Sequence, residues 1–90
     1  MPVTIHLPAA LHALAVPEVP VEARDVAAAL GSLTTRFPLL RRHLFDERGL
    51  LRPHVNVYLN QDEVRGLPAG VATPLRNGDV LLILPSVAGG

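Results

Sequence analysis

Cysteine is absent from this chain. That excludes a disulfide framework, a thiolate metal site and a cysteine nucleophile of its own, so any sulfur chemistry here needs sulfur from another molecule. Basic charge is not in excess either. Eight arginines balance eight acidic residues to a net charge of zero, and no basic stripe of the kind that binds nucleic acid runs along the sequence. Long hydrophobic runs are missing too: the longest aliphatic stretch, residues 80–84, is far too short to span a bilayer. The apolar stretch 9–16 is broken by His12 and closed by Pro17, with no basic residue before Arg24 to make a secretory leader. The expectation is a cytoplasmic protein with neither a nucleic-acid nor a membrane partner. Ninety residues hold one small domain with a single core.

What is present reads as alternating strands around a helix. Val3, Ile5 and Leu7 alternate with Thr4 and His6 and predict a first strand, ended by Pro8. A second extended segment is expected from about Leu14 to Glu22; Pro17 and Pro20 cannot donate to a ladder, which places it at a sheet edge. Asp25 is the expected N-cap of a helix carrying Val26, Ala29, Leu30, Leu33 and Phe37 on one face, weakened at Gly31 by about 1 kcal/mol relative to Ala and stopped by Pro38. Leu39, Leu40 and Leu44 suggest a short second helix closing at Asp46-Glu47-Arg48-Gly49, with Arg41 and Arg42 facing solvent. Val55, Val57 and Leu59 alternate with Asn56, Tyr58 and Asn60, giving a further strand and then a turn, with Val64 assigned to a short return strand. Asn77-Gly78-Asp79 is a turn that launches a last strand over residues 80–84, whose continuous apolar character predicts a central strand covered on both faces. One helix can cover only one face of so small a sheet. The other face is then covered by loops or left partly apolar for a partner. The order of elements is α+β.

Several residues invite catalytic readings that their context does not support. His6, His12, His43 and His54 match no short ligand spacing, so no metal site is expected. Asp62 and Glu63 are adjacent in an extended segment and point to opposite faces, as solvated turn charges do. Ser86 has no base placed beside it by any motif, and Gly66 and Gly70 lack the helix-opening context of a phosphate loop. No catalytic residue is assigned.

The chain closes on Pro85, Ser86, Val87, Ala88, Gly89 and Gly90. Pro85 is expected to end ladder pairing, dividing the chain into a domain over residues 1–84 and a flexible tail over 85–90. Six extended residues reach roughly 20 Å, enough to thread into another protein's active site. Gly89 and Gly90 lack a Cβ, so a narrow channel admits their backbone and the terminal carbonyl carbon is unhindered. An α-carboxylate has a pKa of about 3.5 and is a poor electrophile at neutral pH unless activated. Attack on the α-phosphate of ATP would give an acyl-adenylate, which a sulfur nucleophile can displace to leave a C-terminal thiocarboxylate. A chain with such an end would avoid acylating its own amines, and it contains no lysine; a genome favouring arginine codons accounts for that equally well.

Two closing glycines arise by chance in roughly 0.5% of chains, so the residues upstream must decide their meaning. The run Asn77-Gly78-Asp79-Val80-Leu81-Leu82-Ile83-Leu84-Pro85-Ser86-Val87-Ala88-Gly89-Gly90 resembles the C-terminal signature of the ThiS/MoaD sulfur-carrier family: a Gly-Asp turn, an apolar strand, a proline and a closing Gly-Gly. Val55-Asn56-Val57-Tyr58-Leu59-Asn60, Asp62-Glu63-Val64-Arg65 and Gly70-Val71-Ala72-Thr73 resemble one branch of it, the cysteine-biosynthesis carriers of the CysO kind. Leu67-Pro68-Ala69 lengthens the loop before Gly70 relative to that pattern. The resemblance implies a ubiquitin-like β-grasp fold, a mixed sheet packed on one main helix. It implies that Gly90 is the modified residue and Pro85 to Gly89 the partner-binding tail. No bound cofactor is implied, since ATP is used by the activating enzyme. The implied partners are an adenylating enzyme related to ubiquitin activators and a sulfur-accepting synthase. Carriage for molybdopterin or thiamine-type cofactors is a sister expectation. A ubiquitin-like modifier joined through Gly90 to lysines of other proteins, and an interaction domain with an inert tail, belong to other classes.

Overall fold

The computed structural model describes residues 2–85. Five strands, β1 (Pro2–His6), β2 (Glu18–Glu22), β3 (Val55–Leu59), β4 (Asp62–Glu63) and β5 (Val80–Pro85), form one mixed sheet in the order β2-β1-β5-β3-β4. β1 pairs antiparallel with β2 and parallel with β5, and β3 lies antiparallel to both β5 and β4. The main helix, α1 (Val26–Arg36), packs on one face of this sheet, and a single-turn helix, α2 (Arg41–Leu44), follows it. This is the ubiquitin-like β-grasp arrangement expected above.

Period-2 alternation builds the core. Val3 and Ile5 from β1, Val19 and Val21 from β2, Val55, Val57 and Leu59 from β3, and Leu81 and Ile83 from β5 all point to the same side and are buried there. Val26, Ala29, Leu30 and Leu33 of α1 close over them. Asp25 caps the helix as expected: its backbone is extended and its Oδ1 accepts from Ala28 N at 2.8 Å. At the other end Pro38 keeps Phe37 out of helical geometry, with φ −128° and ψ 78°. Leu40 and Leu44 are buried while Leu39, also a candidate for that face, is 61% exposed.

The sheet's edges are closed to further strands. β2 is an edge, as its one proline requires; Pro20 sits opposite Thr4, and its outward carbonyl accepts from Arg36 Nη1 at 2.5 Å. The other edge, β4, is only two residues long and acidic.

Four expectations need correction. The second strand begins at Glu18, because residues 9–11 form a turn of 3-10 helix and Leu7 N donates to Pro17 O, closing the connection. Val64 is not on the return strand: it opens a 3-10 turn, Val64–Gly66, that drops its side chain into the core. β5 is central but is not covered on both faces, since Leu82 is only half-buried and Leu84 is 38% exposed. Pro85 does not interrupt the ladder; it lies opposite Val55 as the last residue of β5. Asn60 N donates to Val80 O, so bonded pairs recur at Tyr58–Leu82 and Asn56–Leu84, and Val55–Pro85 is a non-bonded pair. A missing N–H there breaks no bond to β3.

Candidate functional site

The candidate site is the place where β5 passes into residues 86–90. Of the residues singled out from the sequence, Ser86, Val87, Ala88, Gly89 and Gly90 lie outside the described residues, and Pro85 is the last residue of the sheet. The described part of the central strand therefore ends at Pro85, opposite Val55.

β5 is held firmly at its start. Gly78 takes φ 84°, a conformation that favours glycine, and its N–H donates to Pro2 O. Asn60, at φ 57°, reaches across: its Nδ2 donates to Asp79 Oδ1 at 3.2 Å, and its Oδ1 accepts from Val80 N at 3.1 Å. Asp79 Oδ2 also accepts from Arg76 N at 2.8 Å. These contacts fix the register of β5, and so fix which residue leaves the sheet.

At the other end of β5 a single guanidinium organises the exit. Arg65 Nη1 donates to Val55 O at 2.7 Å and to Asn56 Oδ1 at 3.3 Å, while Nη2 donates to Arg52 O at 2.7 Å. Val55 and Asn56 are the partners of Pro85 and Leu84, so Arg65 braces the strand against which β5 ends. Arg52 in turn donates from Nε to Arg42 O at 2.7 Å. His43 and His54 share a pocket of about 200 Å³ with Val55 and Ile83, again at this end. Sequence reasoning did not find this gathering, because residues 41–65 meet only through α2, the entry to β3 and the turn after β4.

The sheet face away from α1 leads up to the same point. Thr4 and His6 of β1, Val80, Leu82 and Leu84 of β5, and Asn56 and Tyr58 of β3 point to it. Across its middle the register aligns Glu18, His6, Leu82, Tyr58 and Glu63 in one row, polar at both ends and apolar at the centre. His6 Nε2 lies 3.7 Å from Glu18 Oε1. Of the two possibilities raised from the sequence, this face follows the second: it is left partly apolar. Leu67, in the lengthened loop, packs against the core, and its carbonyl accepts from Gly70 N at 3.0 Å, joining the two 3-10 turns on either side. Among the described residues no group of three or more His, Cys, Asp or Glu side chains could hold a metal ion, and no helix is long and apolar enough to cross a membrane.

The match to the ThiS family covers residues 5–90, nearly the whole chain and through both closing glycines. The chain belongs to the ThiS family. The sulfur carrier protein CysO of Mycobacterium tuberculosis (strain ATCC 25618 / H37Rv) is 33% identical over 94 residues, an alignment that spans all of both chains. The solution structure of the small archaeal modifier protein 1 from Methanosarcina acetivorans superposes with a TM-score of 0.86 at 34% identity, covering 99% of this chain and 96% of that one. The crystal structure of the Amycolatopsis orientalis BexX/CysO complex gives 0.84 at 30% identity over 98% and 99%. As a ThiS-family sulfur carrier this chain is a carrier protein and not an enzyme, and carriers of this family bind no cofactor. Modifier proteins are as similar to it as carriers are.

Proposed function

We propose that this ThiS-family carrier works through the α-carboxylate of Gly90 and supplies sulfur for the synthesis of cysteine. A carboxylate oxygen of Gly90 attacks the α-phosphate of ATP in a partner adenylating enzyme, and pyrophosphate leaves. Sulfide then attacks the carbonyl carbon, AMP leaves with the C–O bonding pair, a proton is lost, and the product is a thiocarboxylate. Residues 85–89 deliver this group first to the activating enzyme and then to a sulfur-accepting synthase. In this reading the chain itself contributes position rather than chemistry.

The observation that carries this reading is the family match running through Gly90, set on a fold whose central strand ends at Pro85. The end-to-end likeness to CysO supports cysteine as the destination. The half-exposed Leu82 and Tyr58 and the exposed Leu84 offer the activating enzyme an apolar strip running towards the end of β5. A cytoplasmic location follows from the ATP and the reduced sulfur that the chemistry needs. The test is the intact mass of the chain after incubation with the activating enzyme from the same genome, ATP and a sulfur source. Replacement of one terminal oxygen by sulfur is expected, and a Gly90-deleted chain that still supports cysteine formation would falsify the reading.

A second reading is favoured by the likeness to the small archaeal modifier protein. The same adenylate could be captured by a lysine amine of another protein, giving an isopeptide bond through Gly90. Having no lysine, this chain could not extend such a conjugate through its own side chains. Conjugates that disappear when Gly90 is deleted would establish it.

A further inference from the structure

Although the chain is neutral in sum, its charge is not evenly spread. Four of the eight arginines, Arg41, Arg42, Arg52 and Arg65, are gathered at the end of the sheet where β5 runs out. The links are short: Pro85 lies opposite Val55, whose carbonyl accepts from Arg65; Arg65 also donates to Arg52 O, and Arg52 to Arg42 O. Arg41 joins them by lining, with Arg65, a groove of about 560 Å³ beside α1. Arg48, in the next loop, does not add to the cluster. It pairs with Asp46 at 3.2 Å, and the Leu50 and Arg48 N–H groups together with that guanidinium hold the Asp46 carboxyl below its ordinary value. Glu47 is the remaining acid of that loop, and it leaves the cluster strongly positive.

The fold does not use this charge. Arg65 and Arg52 are bonded to neutral oxygens, three backbone carbonyls and the Asn56 amide, which a neutral donor could also satisfy, and the exposed guanidiniums of Arg41 and Arg42 have no partner among the described residues. Placing like charges together lowers stability, and among the described residues no carboxylate pairs with these four guanidiniums. We propose that these four arginines form a basic collar around the root of the tail, docking on carboxylates that line the mouth of the channel into which the activating enzyme takes the tail. This rests on the carrier reading above. A protein surface fits better than nucleic acid. Four charges would release few counterions from a polyphosphate, and Asp46 and Glu47 would face its backbone. At the root of the tail, by contrast, every encounter that threads Gly90 must bring the collar against the channel mouth. Complementary charge there acts on the encounter step, and is therefore sensitive to salt.

The test uses the full chain, its Arg41→Glu/Arg42→Glu double variant and the milder Arg41→Ala/Arg42→Ala variant. Both side chains are exposed and unpartnered, so the thermal midpoint should stay within a few degrees of the parent, which checks folding. Binding to the activating enzyme is measured without ATP, and the initial rate of adenylation with it, between low and physiological salt. The expected result is a fall of roughly ten- to a hundred-fold in affinity and kcat/KM for the charge reversal. The fall for the alanine pair should be smaller, kcat should change by less than about twofold, and the salt dependence of the parent should be lost. Equal binding by the parent and the reversed chain at low salt overturns the collar, as does micromolar binding of single-stranded RNA that the reversal abolishes. Binding that depends on the arginines but yields no thiocarboxylate leaves the collar standing and removes the carrier chemistry instead.

Discussion

The same strands present two very different faces. Towards α1, Ile5, Leu81, Ile83 and Val57 are almost completely buried; one residue along each strand, His6, Leu82, Leu84 and Tyr58 are half-buried or exposed. Both faces are apolar at the centre of β5, so hydrophobicity alone does not tell them apart. What separates them is what lies on top, a helix on one side and, among the described residues, nothing on the other. Side chains of the closed face are committed to stability. Those of the open face, next to the tail root, are available to a partner.

The sharpest way to break this comparison is to truncate neighbours on β5. Ile83→Ala is expected to cost roughly 2–5 kcal/mol by removing buried methylenes and leaving a cavity. Leu84→Ala, one residue on and 38% exposed, should cost about 1 kcal/mol or less. It should instead raise the KM for the carrier in the adenylation assay. Urea unfolding of both variants checks the first half. Equal destabilisation would mean that the open face is covered in solution.

One residue on the open side should behave otherwise. Asn60 continues the alternation of Asn56 and Tyr58, yet it holds φ 57° and makes side-chain bonds to Asp79 and Val80. Asn60→Ala is expected to lose about 1–2 kcal/mol, from left-handed strain and the lost bonds together. Asn60→Gly should recover the backbone share. If both variants unfold at the same denaturant concentration, the side-chain bonds carry the whole effect.

Much of this was legible in the sequence, for reasons that also explain what was not. β1, β3 and α1 read correctly because each buries one face, so that burial writes a period into the residues. Asp25 read correctly because an N-cap is a local interaction. The open face of β5 was misread because an apolar run looks the same whether a second layer or a transient partner covers it. Val64 was placed on a strand because a two-residue β4 leaves no alternation to read. The arginine collar could not be seen at all: Arg42, Arg52 and Arg65 are spread through the chain and are joined only by backbone carbonyls that the fold brings within reach.

The smallest expected effect sharpens the comparison from the covered side. α1 is the one long helix among the described residues, so the closed face depends on it, and it carries Gly31 in its interior. A Cβ built on Gly31 meets nothing within 4 Å, and its φ lies outside the left-handed region. Gly31→Ala should therefore add about 0.5–1 kcal/mol by removing backbone freedom from the unfolded chain. For a domain of this size that raises the thermal midpoint by roughly 2–8 °C. Because the gain comes from the helix and not from the sheet, it should add to the cost of Leu84→Ala with no coupling, the two sites sharing no contact. Gly31 and Ile83 test the cover and the covered together, and a double variant that falls short of the sum would show α1 resettling over the cavity. An unchanged midpoint for Gly31→Ala alone would show that α1 is already formed in the unfolded chain, and that the closed face is limited by the docking of the helix and not by its propensity.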